Sequence, residues 1–374
     1  MLKIFLTHAP QTLDHYYGQR ALSQLRRLGD VTLNPHAHPL SLDEVIQMAQ
    51  GHQIIVSSRD TAAPSALFER LPELIAFSRV AVDIRNIDVA AASGHGVLVT
   101  RATPGFDTSV AEWIIGVMID LSRGISRAAA GYWQKQLPAI VMGRELRGAT
   151  IGIVGYGFIG QRLAALAHAL GMKVLMQDPF ATLSSEGVDV YVTQTSFDVL
   201  LSEAEYVVCL APAVPETVDL FDAAAFLNMR RDAYFVNASR GELLDEGALI
   251  DALDNGVIAG AAVDVGRAAD QMPMMALASH PKVIATPHIG GLTPPASEHQ
   301  AMDTVRQVTD ISRGALPAGS VNSEQARRLA RLPGFASLFD AKNSDTDTCT
   351  DPDERTDAHD DAHTDAHTQE RSHE

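Results

Sequence analysis

"TIGIVGYGFIGQRLAALAHALGMKVLMQDPF", residues 150–180, is the stretch that decides the fold. It opens on an apolar run, breaks at "GYGFIG", resumes with helical spacing and closes on a second apolar run ending in Asp178. Strand, glycine turn, helix and strand in that order make a βαβ unit. The G-x-G-x-x-G spacing is weak evidence alone and specific in that setting. Gly155 permits the tight turn, Gly157 lets the backbone approach a diphosphate, and Gly160 lets the helix pack close to the strand. Phe158 and Ile159 lie between them, where the helix begins, and the free N–H groups and dipole of that end stabilise an anion. Asp178 follows Gly160 by 18 residues. A carboxylate there accepts hydrogen bonds from a ribose diol and repels a 2′-phosphate, which favours NAD over NADP. Within the helix Ile159, Leu163, Leu166 and Leu170 share one face, and Gly171 supplies the stop.

The same alternation extends outward. Before residue 101 the strand candidates are "KIFLTH", "VTLNP", "QIIVSS", "LIAFSRVAV" and "GVLVTR", with helical patterns at "LDHYYGQRALSQLRRLG" and "SLDEVIQMAQ" between them. Further strands are expected at "YVVCLA", "AYFVNAS", "IAGAAVDV" and "KVIATPH", and a last helix over 293–314. Strands alternating with helices through short connections argue α/β domains with parallel sheets. Val110, Trp113, Ile114, Val117, Met118 and Leu121 form one apolar stripe, predicting a long helix near 109–123 that carries the chain between domains.

Composition narrows the function classes. The chain has 374 residues and a formal net charge of −17, which argues against nucleic acid as a partner. Residues 340–374 hold twelve acids and three bases, so much of that charge sits in a tail almost free of apolar residues, expected to be disordered. No uncharged apolar run reaches the roughly 18 residues of a membrane span. The opening "MLKIFLTHAP" reads as a strand rather than a signal peptide. Two cysteines, Cys209 in an apolar run and Cys349 in the tail, give no disulfide framework and fit a cytoplasmic location.

Two further motifs carry chemistry. In "VNASRGELLDEGAL", 236–249, a strand runs into Ala238, Ser239 and Arg240. An arginine at the carboxyl end of a parallel strand faces the crevice where ligands bind, and its planar fork suits a carboxylate. In "ATPHIGG", 285–291, His288 follows a strand and precedes two glycines, as a candidate acid/base. Taken separately, a loop-capping arginine and a structural histidine are competing readings. A nucleotide fingerprint, then a strand-end arginine, then a strand-end histidine is the pattern of a hydride-transfer site.

With these blocks the chain resembles the D-isomer-specific 2-hydroxyacid dehydrogenases, the family of phosphoglycerate, glycerate and D-lactate dehydrogenases. The resemblance covers roughly residues 50–318 and also rests on "RNIDVAAASGHGVLVTRATPGFDTSVAEWIIG", "GRELRGATIGIVGYGFIGQRLA" and "IAGAAVDV". It implies two doubly wound parallel-sheet domains, a flavodoxin-like substrate domain and an inserted Rossmann NAD-binding domain. The implied bounds are 1–101 for the substrate domain, 102–292 for the NAD domain, 293–318 for a return helix and 319–374 for a C-terminal extension. It also implies a homodimer, an active site in the cleft between domains, and a small 2-keto or 2-hydroxy acid as substrate. Residue by residue, Arg240 matches the arginine that holds the substrate, His288 the general acid, Asp264 the acid near the nicotinamide and Asp178 the ribose acid. Val110 lies in a block that contacts the cofactor in the family, and no metal is implied.

Departures from the family pattern matter most at "VDVGRAADQMP", 263–273. The family places a glutamate there that pairs with the histidine. Here no Glu occurs between Glu246 and Glu298, Ala269 stands in the ungapped position, and the nearest carboxylate is Asp270. Three readings stay open: Asp270 replaces the glutamate, His288 works without a carboxylate partner, or the site is catalytically idle. The last is compatible with an NAD-sensing interaction protein on the same fold. In "VAVDIRNID" Arg85 either adds charge near the substrate or pairs with Asp83 or Asp88. In "VSSRD" Ser57 stands where some relatives present an arginine, and Arg59 is placed to compensate. The tail repeats "DAH" three times, setting His359, His363 and His367 at i, i+4 and i+8. A solvated tail is the favoured reading there and metal binding the rival. "HAH" at 36–38 reads as a loop.

Overall fold

Twelve strands divide between two wholly parallel sheets in the computed structural model, which describes residues 1–335. The acidic tail with its "DAH" repeats and Cys349 lies outside the described residues. The first sheet takes β1 Leu2–Leu6, β2 Gly29–Leu33, β3 Ile54–Ser57, β4 Ala76–Arg79 and β5 Leu98–Arg101, in the order β2-β1-β3-β4-β5. That is the flavodoxin-like order. β3 and β4 are buried at every residue, because helices cover both faces and leave no polar side to alternate.

The second sheet takes β6 Thr150–Val154, β7 Lys173–Gln177, β8 Val192–Gln194, β9 Tyr206–Cys209, β10 Tyr234–Asn237, β11 Gly260–Val263 and β12 Val283–Ala285. Their order is β12-β11-β10-β9-β6-β7-β8. The order reverses between β6 and β9, the switch point where a doubly wound sheet opens a crevice beyond its carboxyl ends. β8 escapes a sequence reading because it is three residues long with two of them exposed.

The chain crosses between the sheets twice. After β5 the helix Asp107–Arg123 buries Val110, Ala111, Ile114, Val117 and Met118 and packs against the helix Phe158–Ala169. After β12 the helix Pro294–Ser312 returns to the first sheet, where Ala301, Val305, Val308 and Ile311 share a core with Leu22, Leu25, Ile4 and Leu6. The residues beyond it run over the first domain. Asn322 Oδ1 accepts from Val99 N at 2.8 Å, and Arg328 Nη1 donates to the Leu71 and Leu74 carbonyls at 2.8 and 2.9 Å. No helix among the described residues is long and apolar enough to cross a membrane.

Two helices differ from expectation. The pattern "LDHYYGQRALSQLRRLG" is split into Pro10–Tyr16 and Gln19–Leu28, because Gly18 takes φ +81° and turns the chain between them. In the helix Phe158–Ala169 the buried positions are Gly160, Leu163, Ala164 and Ala167, while Leu170 is exposed. Gly160 lies against the Gly155 carbonyl and Ile153 of β6, and the crossing helix packs on this helix, so small residues share the buried side with Leu163.

Candidate active site

The glycine turn has the geometry its spacing implies. Gly155 takes φ +98°, and a β-carbon on Gly160 would lie 2.5 Å from the Gly155 carbonyl oxygen. A β-carbon on Gly157 would meet nothing within 4 Å, so the space above the turn is open. Gly157 caps the helix with no side-chain hydrogen bond and no acid occupies the first turn, leaving the N–H groups to an anion. Asp178 Oδ2 accepts from Tyr156 N at 2.8 Å and Oδ1 from Phe180 N at 2.9 Å. These bonds brace the turn and leave each oxygen a lone pair for a ribose diol. Phe158 is exposed at the mouth of the turn and Ile159 half-buried. The open turn, the free helix end and the strand-end carboxylate fit a dinucleotide.

Arg240 follows β10. Asn237, wholly buried, accepts from Ser239 N at 3.1 Å and donates to the Arg240 carbonyl at 3.0 Å, closing the turn that aims the arginine outward. Ala238 N bonds back to the Cys209 carbonyl at 3.3 Å. Among the described residues the Arg240 guanidinium donates once, to the Ser239 carbonyl at 2.7 Å. Burial lowers its pKa, opposed by Asp83 and reinforced by the neighbouring charges of Arg85 and Arg59.

His288 follows β12 with φ +55°, a left-handed conformation that costs a non-glycine residue about 1–3 kcal/mol and is kept only where its surroundings enforce it. Asp264, buried at the end of β11, enforces it. Its carboxylate accepts from Thr286 Oγ1 at 2.5 Å, Ile289 N at 2.8 Å and Gly290 N at 2.7 Å, and its carbonyl accepts from His288 N at 2.9 Å. Three donors of the histidine turn thus hold the Asp264 carboxylate, two on Oδ1 and one on Oδ2. Val110 is buried in the first turn of the crossing helix, against Gly291.

The first domain supplies the opposite wall. Arg59 Nη2 lies 3.4 Å from His288 Nδ1. Arg85 binds Asp83 Oδ2 at 2.8 Å and reaches across to Glu242 Oε1 at 3.2 Å, whose carboxylate also accepts from Gln271 Nε2 at 3.2 Å. Burial alone would raise the Asp83 pKa, but the Arg85 hydrogen bonds and the Arg240 charge outweigh it and hold the carboxyl at about 2. Beneath this wall Arg79 is fully buried, donating to the Thr61 carbonyl and to Asn86 Oδ1 at 2.7 Å each, and to the Ser58 carbonyl. Asn86 in turn donates to the Arg59 carbonyl at 3.1 Å. One buried cation thus fixes both loops that present Arg59 and Arg85. The cleft holds about 630 Å³ and is lined by Arg59, Asp60, Asp83, Arg85, Asn86 and Gln271.

Arg59 and Arg85 line this cleft, His288 lies within reach of Arg59, and Arg240 is close enough to Asp83, Arg85 and Arg59 to feel their charges. Ser57 is not there: it is wholly buried at the end of β3, so Arg59 alone of that pair reaches the site. Asp270 lies at the centre of a single turn, Ala269–Gln271, beside the cleft residue Gln271; its side chain is outside the described part of the structure. Glu242 and Gln271 were missed as site residues. The only local signal was their position, each just beyond a strand-end turn.

A doubly wound nucleotide domain facing a second α/β domain across an arginine- and histidine-lined cleft defines the class of two-domain dinucleotide-dependent dehydrogenases. The family model "D-isomer specific 2-hydroxyacid dehydrogenase, NAD binding domain" matches residues 115–290. Glyoxylate/hydroxypyruvate reductase B of Klebsiella pneumoniae is 32% identical over 323 residues, 84% of this chain and 94% of that protein. The chain belongs to the D-isomer specific 2-hydroxyacid dehydrogenase family, and its second sheet is the family's NAD-binding domain. D-3-phosphoglycerate dehydrogenase of Synechocystis sp. is 34% identical over 286 residues, 75% of this chain and 50% of that protein. The chain spans about half the length of the phosphoglycerate dehydrogenases it matches. The apo-structure of D-lactate dehydrogenase from Escherichia coli shares the fold, with a TM-score of 0.73 at 23% identity over 86% of this chain and 100% of that one.

Proposed function

We propose that the chain is an NAD-dependent 2-hydroxyacid dehydrogenase that reduces a small 2-keto acid. The observation that carries this reading is Arg240, half-buried at a strand end with most of its N–H donors uncommitted among the described residues. Such a group calls for an anion, and a bidentate carboxylate matches its fork.

NAD(H) bound at the glycine turn supplies the hydride. Arg240 holds the substrate carboxylate and draws electron density from the neighbouring carbonyl. His288 gives its proton to the carbonyl oxygen in reduction and takes it back in oxidation. Asp270 orients the imidazole in place of the family's glutamate. Arg59 adds positive charge at the same end of the cleft, and the Asp83–Arg85 pair closes the other. Asp178 selects NAD over NADP. The test is a panel of 2-keto acids with NADH and NADPH. Turnover with NADH is expected, and His288→Ala should abolish it while NADH binding persists. Wild-type turnover in His288→Ala refutes the assignment.

The working form is a homodimer in the cytoplasm. The segment after the crossing helix exposes Trp133, Leu137, Ile140, Val141 and Met142, an apolar run that a second copy would cover. The cytoplasm suits Cys209, free and buried, whose thiol burial pushes up to about 12. Sedimentation should find a dimer that Ile140→Asp dissociates; a monomeric wild type at micromolar concentration refutes it.

A further inference from the structure

The loop between β2 and the helix Leu42–Met48 reads "NPHAHPLS", residues 34–41. Its two imidazoles converge, with ring centroids 5.3 Å apart. Glu44, in the first turn of the helix, joins them: the nearest ligand atoms of His36, His38 and Glu44 all lie within 4.8 Å of one another. His38 Nε2 is 3.3 Å from Glu44 Oε1. Bonds of about 2.0–2.1 Å in a tetrahedral shell set neighbouring ligands about 3.3 Å apart, so this pair already has the spacing of two ligands on one ion. His36 is the third of the set, its nearest ring nitrogen within 4.8 Å of both.

The residues behind these three hold them in place. Asn34 is buried; its Oδ1 accepts from His36 N at 2.8 Å, and its Nδ2 donates to the His38 carbonyl at 3.3 Å and the Thr7 carbonyl at 3.2 Å. One side chain thus pins the backbone of both histidines to β1. Glu44 Oε2 accepts from Ser41 N at 2.8 Å and Ser41 Oγ at 2.7 Å, as part of the helix's capping box. Those bonds use one oxygen and turn the other toward His38. Support of this kind is what orients metal ligands, and the family resemblance supplies no metal here. Two imidazoles and one carboxylate suit zinc, nickel or copper, whereas calcium and magnesium prefer oxygen alone.

We propose that His36, His38 and Glu44 form a surface site for a divalent transition-metal ion of the zinc class, with water completing its shell. The ion ties the β2 loop to the following helix. Ala37 and Pro39 of the same loop line a cavity of about 190 Å³ with Thr7, Ser58 and Asp60, so the ion stiffens one wall of that cavity.

The histidines of the tail are rival ligands, so the test separates them. The full chain is titrated with Co(II), followed by its visible absorption, and then competed with Zn(II). His38→Ala and His36→Ala are compared with a His359→Ala/His363→Ala/His367→Ala variant, and metal-free melting temperatures are recorded for all. Loss of a supporting residue typically weakens a metal site by about 10–100-fold, so loss of a ligand should cost at least about tenfold. The expected result is that weakening in His36→Ala and His38→Ala, with unchanged metal-free melting, and wild-type affinity at one site in the tail variant. Wild-type affinity in His38→Ala, loss of all uptake in the tail variant, or no uptake by the wild type overturns the proposal.

Discussion

Gly157→Ala separates the cofactor site from the fold. A β-carbon at this position meets nothing within 4 Å, and the backbone sits at φ −78° and ψ −160°, which alanine adopts without strain. The substitution also narrows the unfolded ensemble, worth about 0.4–1 kcal/mol toward folding. Stability should therefore hold or rise slightly. The new methyl occupies the space through which the turn would approach a diphosphate. Displacing the anion from one N–H forfeits a charge-assisted hydrogen bond of about 1.5–3 kcal/mol. The NADH Kd should rise about 10- to 150-fold. Fluorescence titration gives the Kd and urea unfolding gives the stability. An unchanged Kd refutes the close approach, and a matching loss of stability assigns the effect to the fold. Gly160→Ala is the converse control: its β-carbon would sit 2.5 Å from the Gly155 oxygen, an overpacking cost of about 1–3 kcal/mol, so stability and binding fall together.

Three further outcomes follow from the same geometry. Arg240→Lys should lower kcat/KM about 10- to 150-fold, the worth of one charged hydrogen bond, with the NADH Kd unchanged; equal kinetics removes Arg240 from substrate binding. Asp270→Asn should shift the limb of the kcat/KM–pH profile that belongs to His288, and an unmoved limb removes Asp270 from the proton relay. Burial first, and the charge of Arg79 second, push the buried His8 down to about 3. The unfolded chain binds the proton that folded His8 refuses, so stability is unaffected by it above about pH 6.5 and falls about 1.4 kcal/mol per unit below, a loss of about 2 kcal/mol by pH 5. Urea unfolding at pH 7 and pH 5 should show that difference against His8→Leu, and identical slopes would contradict it.

What the sequence revealed was what local physics fixes. The fingerprint glycines and Asp178 were legible because a tight turn, a close helix and a strand-end acid all lie within one βαβ unit. Arg240 and His288 were legible because a parallel sheet sends strand-end residues to one edge. Face assignments were not. Ser57 sits in a strand buried on both sides, where no polar alternation tells inward from outward. The helix after the turn was rotated because the reading favoured its largest apolar residues, while close packing against the turn and the crossing helix favoured glycine and alanine. Partners across the cleft were the least accessible. Asp83 was named for Arg85 because it is two residues away, whereas Glu242 is 157 residues away and meets it only through the folding of two domains. Asp264 illustrates the same limit: its strand position was clear, but its three donors belong to a turn some two dozen residues downstream.

The helix Pro294–Ser312 sets an order of assembly. It fills the same core as Ile4 and Leu6, so that side of the first sheet stays only partly covered until the helix has been made. A ribosome adds about 5–20 residues per second, so the roughly 200 residues from β5 to the end of the helix take about 10–40 s. In that interval the whole second sheet emerges. The domain synthesised first is thus completed last, and through synthesis a chaperone would find Leu22, Leu25 and the face of β1 still open to it.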